Sequence, residues 1–99
     1  MRRAARVDDN QSEIVATFRR LGASVAILSG VGQGVPDILI GYRGRDALVE
    51  IKDGAKPPSK RRLTKDEAEF HQKWTGRPVE IVETVEQAVS LIAAMGNGA

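Results

Sequence analysis

Apolar residues recur along this chain at two spacings, which predict three helices and four short strands. In residues 8–21 they follow the three- and four-residue spacing of an amphipathic helix, and Gly22 supplies a stop signal. The same reasoning predicts helices over residues 64–74 and 84–95. Runs rich in valine, isoleucine and leucine between glycine-containing turns predict the strands. The predicted strands cover residues 23–28, 37–40, 47–52 and 79–82. The order of elements is therefore αβββαβα, without an internal repeat.

The second and third predicted strands form the most informative segment. They are separated by the turn-like stretch 41–46, and an antiparallel hairpin with its turn at the middle of that stretch places Ile40 opposite Ala47. The same register places Asp37 opposite Glu50, with Cβ atoms roughly 5 Å apart. We therefore expect two carboxylates to be cross-strand neighbours on one face of the sheet.

This pair of carboxylates predicts a metal site. Adjacent carboxylates repel, so the pKa of one rises unless a cation lies between them. Magnesium prefers oxygen ligands and is commonly held by one or two carboxylates together with substrate phosphate. Lys52 shares the face of Glu50 because side chains alternate along a strand. In that position it could orient a water molecule or stabilise charge on a phosphate.

Composition narrows the class of protein. The 99 residues suffice for one domain with one modest core, and we expect residues 1–7 and 96–99 to be flexible. Hydrophobic residues make up 41% and charged residues 28%, as in globular proteins, and no stretch approaches the roughly 20 apolar residues of a membrane span. The basic start lacks the apolar stretch of a signal peptide. The absence of cysteine excludes disulfides and thiolate zinc sites, and agrees with a soluble cytoplasmic protein.

Charge is distributed unevenly although the net charge is only +2. The stretch between residues 52 and 65 contains a single acid, Asp53, and it leaves directly from the strand of the predicted metal site. A basic loop at that position could hold a phosphate backbone, whereas the alternative is a solvated linker. The candidate nucleic-acid-binding residues are Lys56, Lys60, Arg61, Arg62 and Lys65.

Several polar and aromatic residues on the helices have a structural interpretation beside a functional one. Glu13 lies at the edge of the apolar stripe of the first helix, where the helix dipole alone would favour it. Glu67 fits a capping box with Thr64, which explains it without catalysis. For His71 and the aromatic residues of the second helix, Phe70 and Trp74, packing in the core is the favoured interpretation.

The motif Pro36-Asp37 followed by Glu50-Ile51-Lys52, with Glu13 on the preceding helix, resembles the PD-(D/E)xK nuclease superfamily. More narrowly, the chain is similar to the virus-type replication-repair nuclease (VRR-NUC) domains, particularly short stand-alone ones of phages and bacteria. The resemblance extends from residue 10 to about residue 76. It implies an α/β, restriction-endonuclease-like αβββαβ core with a central mixed sheet flanked by helices, here with an extra C-terminal helix.

The resemblance also assigns roles. Asp37 and Glu50, with the backbone carbonyl of Ile51, would bind Mg²⁺, for which Mn²⁺ could substitute. Lys52 would orient or activate the attacking water, and Glu13 would correspond to a helix-one acid often found at such sites. One departure concerns the second helix, where many relatives carry glutamine and this chain has Glu67.

The implied function is metal-dependent endonuclease cleavage of DNA. Stand-alone relatives of this size act on branched DNA, including four-way (Holliday) junctions, as homodimers, which implies a role in phage or bacterial replication, recombination or repair. The alternative is a catalytically inactive nucleic-acid-binding or assembly module with the same fold. The intact Asp37, Glu50 and Lys52 argue against that alternative, because a pure binder gains nothing from two carboxylates beside incoming phosphates.

Overall fold

The computed structural model describes residues 8–98 and contains three α-helices and four strands. The elements are α1 (Gln11–Arg20), β1 (Ser24–Ile27), β2 (Ile38–Tyr42), β3 (Arg45–Ile51), α2 (Lys65–Lys73), β4 (Glu80–Val82) and α3 (Val85–Gly96). A short 3₁₀ helix, Pro58–Lys60, lies between β3 and α2. The predicted order αβββαβα is confirmed. The predicted flexibility of residues 1–7 and of residue 99 concerns positions outside the described residues.

The strands form one mixed sheet in the order β1-β2-β3-β4. The first three strands pair antiparallel, and β3 pairs parallel with β4. A parallel neighbour requires a crossover connection, which here contains α2. This arrangement is the central mixed sheet that the resemblance to nucleases implied.

The hairpin of β2 and β3 has the predicted register, with Ile40 opposite Ala47. Its turn consists of Arg43 and Gly44, whose φ angles of 52° and 78° are both positive. Two positive φ angles define the type I′ turn, whose twist matches that of the flanking strands. Because this turn needs only two residues, both strands continue to it and are longer at that end than predicted.

The hydrophobic core lies on one face of the sheet, beneath α1 and α3. Ile38 and Ile40 of β2 and Val49 of β3 are 0% exposed on that face. Helix α1 contributes Phe18 and helix α3 contributes Met95, both also fully buried. The two helices thus shield one side of the sheet from water, as the apolar spacing of each helix requires.

The opposite face is covered differently. Alternation along β3 directs Glu50 to that face, and Lys52 follows just after the strand. Helix α2 lies over this end of the sheet, yet none of its nine residues, all of them described, is fully buried. Within residues 8–98, no helix is both long enough and apolar enough to cross a bilayer.

Candidate active site

The hairpin brings Asp37 and Glu50 together. Ile38 pairs with Val49, so the register continued by one residue sets Asp37 opposite Glu50. The backbone N–H of Ile51 donates to Asp37 Oδ2 at 2.7 Å. The Asp37 carboxylate is therefore held across the hairpin, beside the Glu50 side chain.

Glu50 is a buried acid beside a second carboxylate. Glu50 is 2% exposed, and its Oε1 atom has no hydrogen-bond partner within residues 8–98. Burial, followed by the hydrogen bond and the charge of Asp37, raises the pKa of Glu50 to about 10. In the metal-free protein Glu50 therefore keeps its proton at neutral pH, which is the outcome expected for adjacent carboxylates without a cation.

Lys52 extends from the end of β3 and is 8% exposed. Its Nζ atom donates to Glu67 Oε1 at 2.8 Å. Burial alone would lower the pKa of Lys52, but the hydrogen bond and charge of Glu67, together with the charge of Glu50, outweigh burial and raise it. The ammonium group is thus kept charged and held in position in a largely desolvated site.

Glu67 has two functions in the structure. Its Oε1 accepts from the Thr64 N–H at 2.9 Å, and its own N–H donates to Thr64 Oγ1 at 3.2 Å. The predicted capping box is confirmed. The same Oε1 also accepts from Lys52, a contact that the sequence analysis missed. Burial would raise the pKa of Glu67, but the hydrogen bonds from Lys52 and from the Thr64 backbone lower it.

His71 also lies against the carboxylate pair. Its Nε2 is 3.8 Å from Glu50 Oε1, too far for a hydrogen bond, and this buried nitrogen has no partner among the residues described. Burial lowers the pKa of His71, Glu67 opposes that effect, and Lys52 adds to it. The expectation of a satisfied packing histidine is therefore wrong, since the ring faces the site with an unpaired nitrogen.

Side chains at the start of α1 connect to the backbone of the two segments that carry Asp37 and Lys52. Asn10 Nδ2 donates to the carbonyl oxygens of Lys52 and Glu83, each at 3.1 Å. Gln11 Nε2 donates to Ser29 Oγ at 2.9 Å. The Ser29 hydroxyl in turn donates to the carbonyl oxygen of Asp37 at 3.4 Å. Asn10 and Gln11 thus connect one helix end to the backbone of Lys52 and Asp37.

The acid at the site from this part of the chain is Asp8, three residues before α1, and not Glu13. Glu13 is exposed and does not line the cleft, because its neighbour Ile14 turns into the core. Asp8 lines the cleft, and burial raises its pKa, with Lys52 lowering it and Asp37 raising it further. The proximity of Asp8 to the site was not predicted from the sequence, because its position depends on how Asn10 anchors the helix.

These side chains surround a cleft of about 400 Å³. Three of the predicted DNA-binding residues, Lys56, Lys60 and Arg62, line it. Arg61 turns away to pair with Glu83 at 3.4 Å, and Lys65 is exposed at the start of α2 outside the lining. Glu50 is buried within the cleft, Lys60 and Arg62 are exposed on its rim, and Lys56 pairs with the exposed Asp9 at 3.6 Å. The acids in its lining are Asp8, Asp9, Asp37, Glu50 and Glu67.

A solved structure described as a VRR_NUC domain is similar to this chain. The two are 30% identical, the match covers 87% of this chain and 97% of the other, and the TM-score is 0.57. The chain belongs to the VRR_NUC family. The resemblance noted in the sequence is thereby confirmed, and the fold is that of a nuclease family. No protein-family model and no curated protein matches the sequence.

The VRR_NUC membership makes a divalent cation relevant, and the donor set fits one. Asp37 and Glu50 supply hard carboxylate oxygens, the type that Mg²⁺ and Mn²⁺ bind. Glu50 Oε1 is buried without a hydrogen-bond partner in the described part of the chain, so a ligand could pair with it at no cost in existing contacts. Across residues 8–98, no group of three or more acidic or histidine side chains is arranged to hold a metal ion.

Proposed function

We propose that this protein is a metal-dependent endonuclease that hydrolyses phosphodiester bonds in DNA at the site formed by Asp37, Glu50 and Lys52. The observation that carries this proposal is the buried Glu50 carboxyl beside the half-buried carboxylate of Asp37 and a charged lysine. Glu50 has a pKa raised to about 10 next to Asp37, and Lys52 Nζ lies nearby, held by Glu67 at 2.8 Å. Membership in the VRR_NUC family supports the same activity.

Asp37 and Glu50 would hold Mg²⁺, or Mn²⁺ in its place, and the Ile51 carbonyl assigned by the resemblance would be a further ligand. When bound, the ion would polarise the phosphate and lower the pKa of a water molecule. Loss of the Glu50 proton accompanies this binding, because a carboxylate coordinates in its deprotonated form.

Lys52 supplies positive charge where a phosphate gains negative charge during hydrolysis. Its ammonium group is largely desolvated, so its interaction with a phosphate is stronger than that of a surface lysine. Glu67 orients the ammonium by a hydrogen bond, and the capping box with Thr64 fixes Glu67 in turn. In this proposal Lys52 acts on the phosphate or the attacking water, while Glu67 positions it.

The rim of the cleft would bind the DNA backbone. Lys56, Lys60 and Arg62 line the cleft, and each phosphate they neutralise releases counterions, so affinity falls with salt. We further propose that the substrate is branched DNA, such as a four-way junction, cut by a homodimer in the cytoplasm of a bacterium or a phage-infected cell. Two sites related by a two-fold axis suit paired cuts in a symmetric substrate.

The test is cleavage of labelled four-way junction, flap and linear duplex DNA with Mg²⁺ or Mn²⁺. We expect Asp37→Asn and Lys52→Met each to reduce the cleavage rate by at least about 100-fold. Asp46→Asn is the matched control, because this exposed hairpin acid lies outside the cleft. Sedimentation of the native chain tests the dimer. Binding of all three substrates without cutting would contradict the nuclease and favour the inactive binding module.

A further inference from the structure

A stacked aromatic pair lies at the end of α2 opposite the capping box, and its second ring is exposed. The Phe70 and Trp74 rings stack with centroids 5.2 Å apart and planes 15° from parallel. Trp74 follows the last residue of the helix and is 46% exposed. The expectation that it packs in the core is wrong. The exposed part of the Trp74 ring offers a flat apolar surface to a ligand.

The pair is close to the candidate active site along the chain and in space. Trp74 is seven residues after Glu67, which corresponds to about 10 Å along a helix that rises 1.5 Å per residue. His71, between them, contacts Glu50. A DNA strand with a phosphate in the cleft would thus have neighbouring nucleotides within reach of Trp74.

A pocket of about 270 Å³ lies against these rings. It is lined by Gln33, Asp66, Glu69, Phe70, Lys73 and Trp74. Gln33 belongs to the glycine-containing loop before β2 and has a φ of 60°, a left-handed conformation uncommon for a residue with a side chain. The loop lies directly on α2, because a Cβ atom added at Gly34 would collide with the Asp66 carbonyl. The part of the pocket lining that belongs to this loop is therefore held in place by backbone packing against α2.

The charges of the pocket select against a phosphate. Asp66 and Glu69 are acidic, and the one cation of the lining, Lys73, already pairs with Glu69 at 3.4 Å. An uncharged flat ring with a polar edge fits better, since it can stack on the aromatic surface. Gln33 offers an amide, whose donor and acceptor can meet the edge of such a ring. The pocket is also smaller than those that take drug-sized ligands.

We propose that the Phe70–Trp74 pair and Gln33 form a binding site for one unpaired nucleobase of the DNA substrate. This inference rests on the proposed nuclease function and deepens it, because it names a structural property of the substrate. Bases inside a duplex have both faces stacked and cannot reach Trp74 without leaving the helix. Branch points, flaps and frayed ends present unpaired bases, so the site would favour them over linear duplex.

Trp74 is the only tryptophan among the 99 residues, so its fluorescence reports on this site. The probes are a short single-stranded oligonucleotide, an abasic strand of equal length and charge, and linear duplex, each titrated in the presence of EDTA. We expect the strand with bases to quench Trp74, because stacking brings a base against the indole. The abasic strand should bind through the cationic rim without that quenching, and duplex should quench weakly.

Two outcomes of this titration would overturn the inference. Equal quenching by the abasic strand would mean that no base is recognised. The second outcome is a fluorescence that changes with protein concentration in the absence of DNA and that no oligonucleotide reverses. This result would mean that a second copy of the chain covers Trp74 instead.

Variants give a second, independent test. We expect Trp74→Ala to weaken binding of the strand with bases by about 5- to 150-fold, the range for loss of one stacked base, while abasic affinity stays unchanged. Trp74→Phe should restore most of the affinity. Val89→Ala is the control, because Val89 is similarly exposed at 44% on α3. Weakening of both strands alike by Trp74→Ala would contradict base stacking.

Cleavage with Mg²⁺, measured separately, distinguishes failure of the inference from failure of the proposed function. A native chain that stacks a base but never cuts would refute the nuclease and leave the base site in place. A chain that cuts branched DNA equally well with Trp74→Ala, and shows no base-dependent quenching, would refute the base site alone.

Discussion

The two faces of the central sheet differ in what holds their buried residues. On the face beneath α1 and α3, Ile40 and Val49 are fully buried by apolar neighbours. On the other face, Glu50 and Lys52 are almost as inaccessible, at 2% and 8% exposed, but their surroundings are carboxylates and an ion pair. Helix α2, which lies over one end of that second face, contributes no fully buried residue of its own.

This difference shows that side chains alternating along one strand serve two purposes, with one face stabilising the fold and the other facing the candidate active site. Val49 and Ile51 stabilise the fold through the hydrophobic effect. Glu50 lies between them and Lys52 follows them, and both line the cleft of the candidate active site. A slip of β3 by one residue would turn Glu50 into the core, and the type I′ turn at Arg43 and Gly44 holds the register that prevents it.

The largest expected effect compares two neighbouring residues of β2. Ile40→Ala should lower the free energy of unfolding by about 2–5 kcal/mol, because Ile40 is 0% exposed in the core. Leu39→Ala, on the opposite face and 36% exposed, should cost about 1 kcal/mol or less. Urea denaturation of both variants measures the difference. Equal losses would mean that the second face carries as much of the stability as the first.

A smaller effect sharpens the comparison through pH. The pKa of Glu50 is raised from 4.5 to about 10 in the folded chain, so the proton stabilises the fold fully below pH 4.5 and this contribution is lost as pH rises towards 10. Metal-free protein should therefore lose up to roughly 1 kcal/mol of stability per pH unit between about pH 7 and about pH 9. The lowered pKa values of His71 and Glu67 place their titration below that window, and the raised pKa of Lys52 places its titration above it.

Urea denaturation in EDTA at both ends of this pH window measures the slope. Glu50→Gln is the matched variant, because an amide keeps the shape of the protonated carboxyl without titrating. We expect the slope to flatten in this variant. A slope that is unchanged by Glu50→Gln would show that another group causes it.

The smallest effect compares two helix caps of the same type. Thr84 caps α3 by accepting from the Gln87 N–H at 3.1 Å, and Thr64 caps α2 by accepting from the Glu67 N–H at 3.2 Å. Thr84→Ala should cost about 1 kcal/mol of global stability, because α3 is packed into the core. Thr64→Ala should cost roughly half of that or less in global unfolding, and should instead speed amide exchange within α2. Equal global losses would mean that α2 unfolds with the core.

Local sequence rules were sufficient for much of the fold. The position of the hairpin turn determined the register of β2 and β3, and the register alone brought Asp37 beside Glu50. The capping box of Thr64 and Glu67 could likewise be predicted from the sequence, because it depends on residues only three positions apart. Element ends differed by a few residues because turns and caps, not apolar spacing, decide where pairing stops.

Contacts between distant segments could not be predicted in this way. The ion pair of Lys52 with Glu67 depends on where α2 lies over the sheet, and the approach of Asp8 to the cleft depends on the Asn10 anchor. The exposure of Trp74 has a similar cause, because an aromatic residue at helical spacing predicts burial only where another element covers that helix face. These three features required the arrangement of whole elements.

The central proposal is that Asp37 and Glu50 would hold a divalent cation, which would replace the Glu50 proton. The most direct measurement is calorimetric titration of Mn²⁺ into the native chain and into Glu50→Gln near neutral pH, in two buffers of different ionisation enthalpy. We predict that the native chain releases about one proton for each ion bound, and that Glu50→Gln binds far more weakly without that release. Binding by the variant with the affinity and proton count of the native chain would contradict the account.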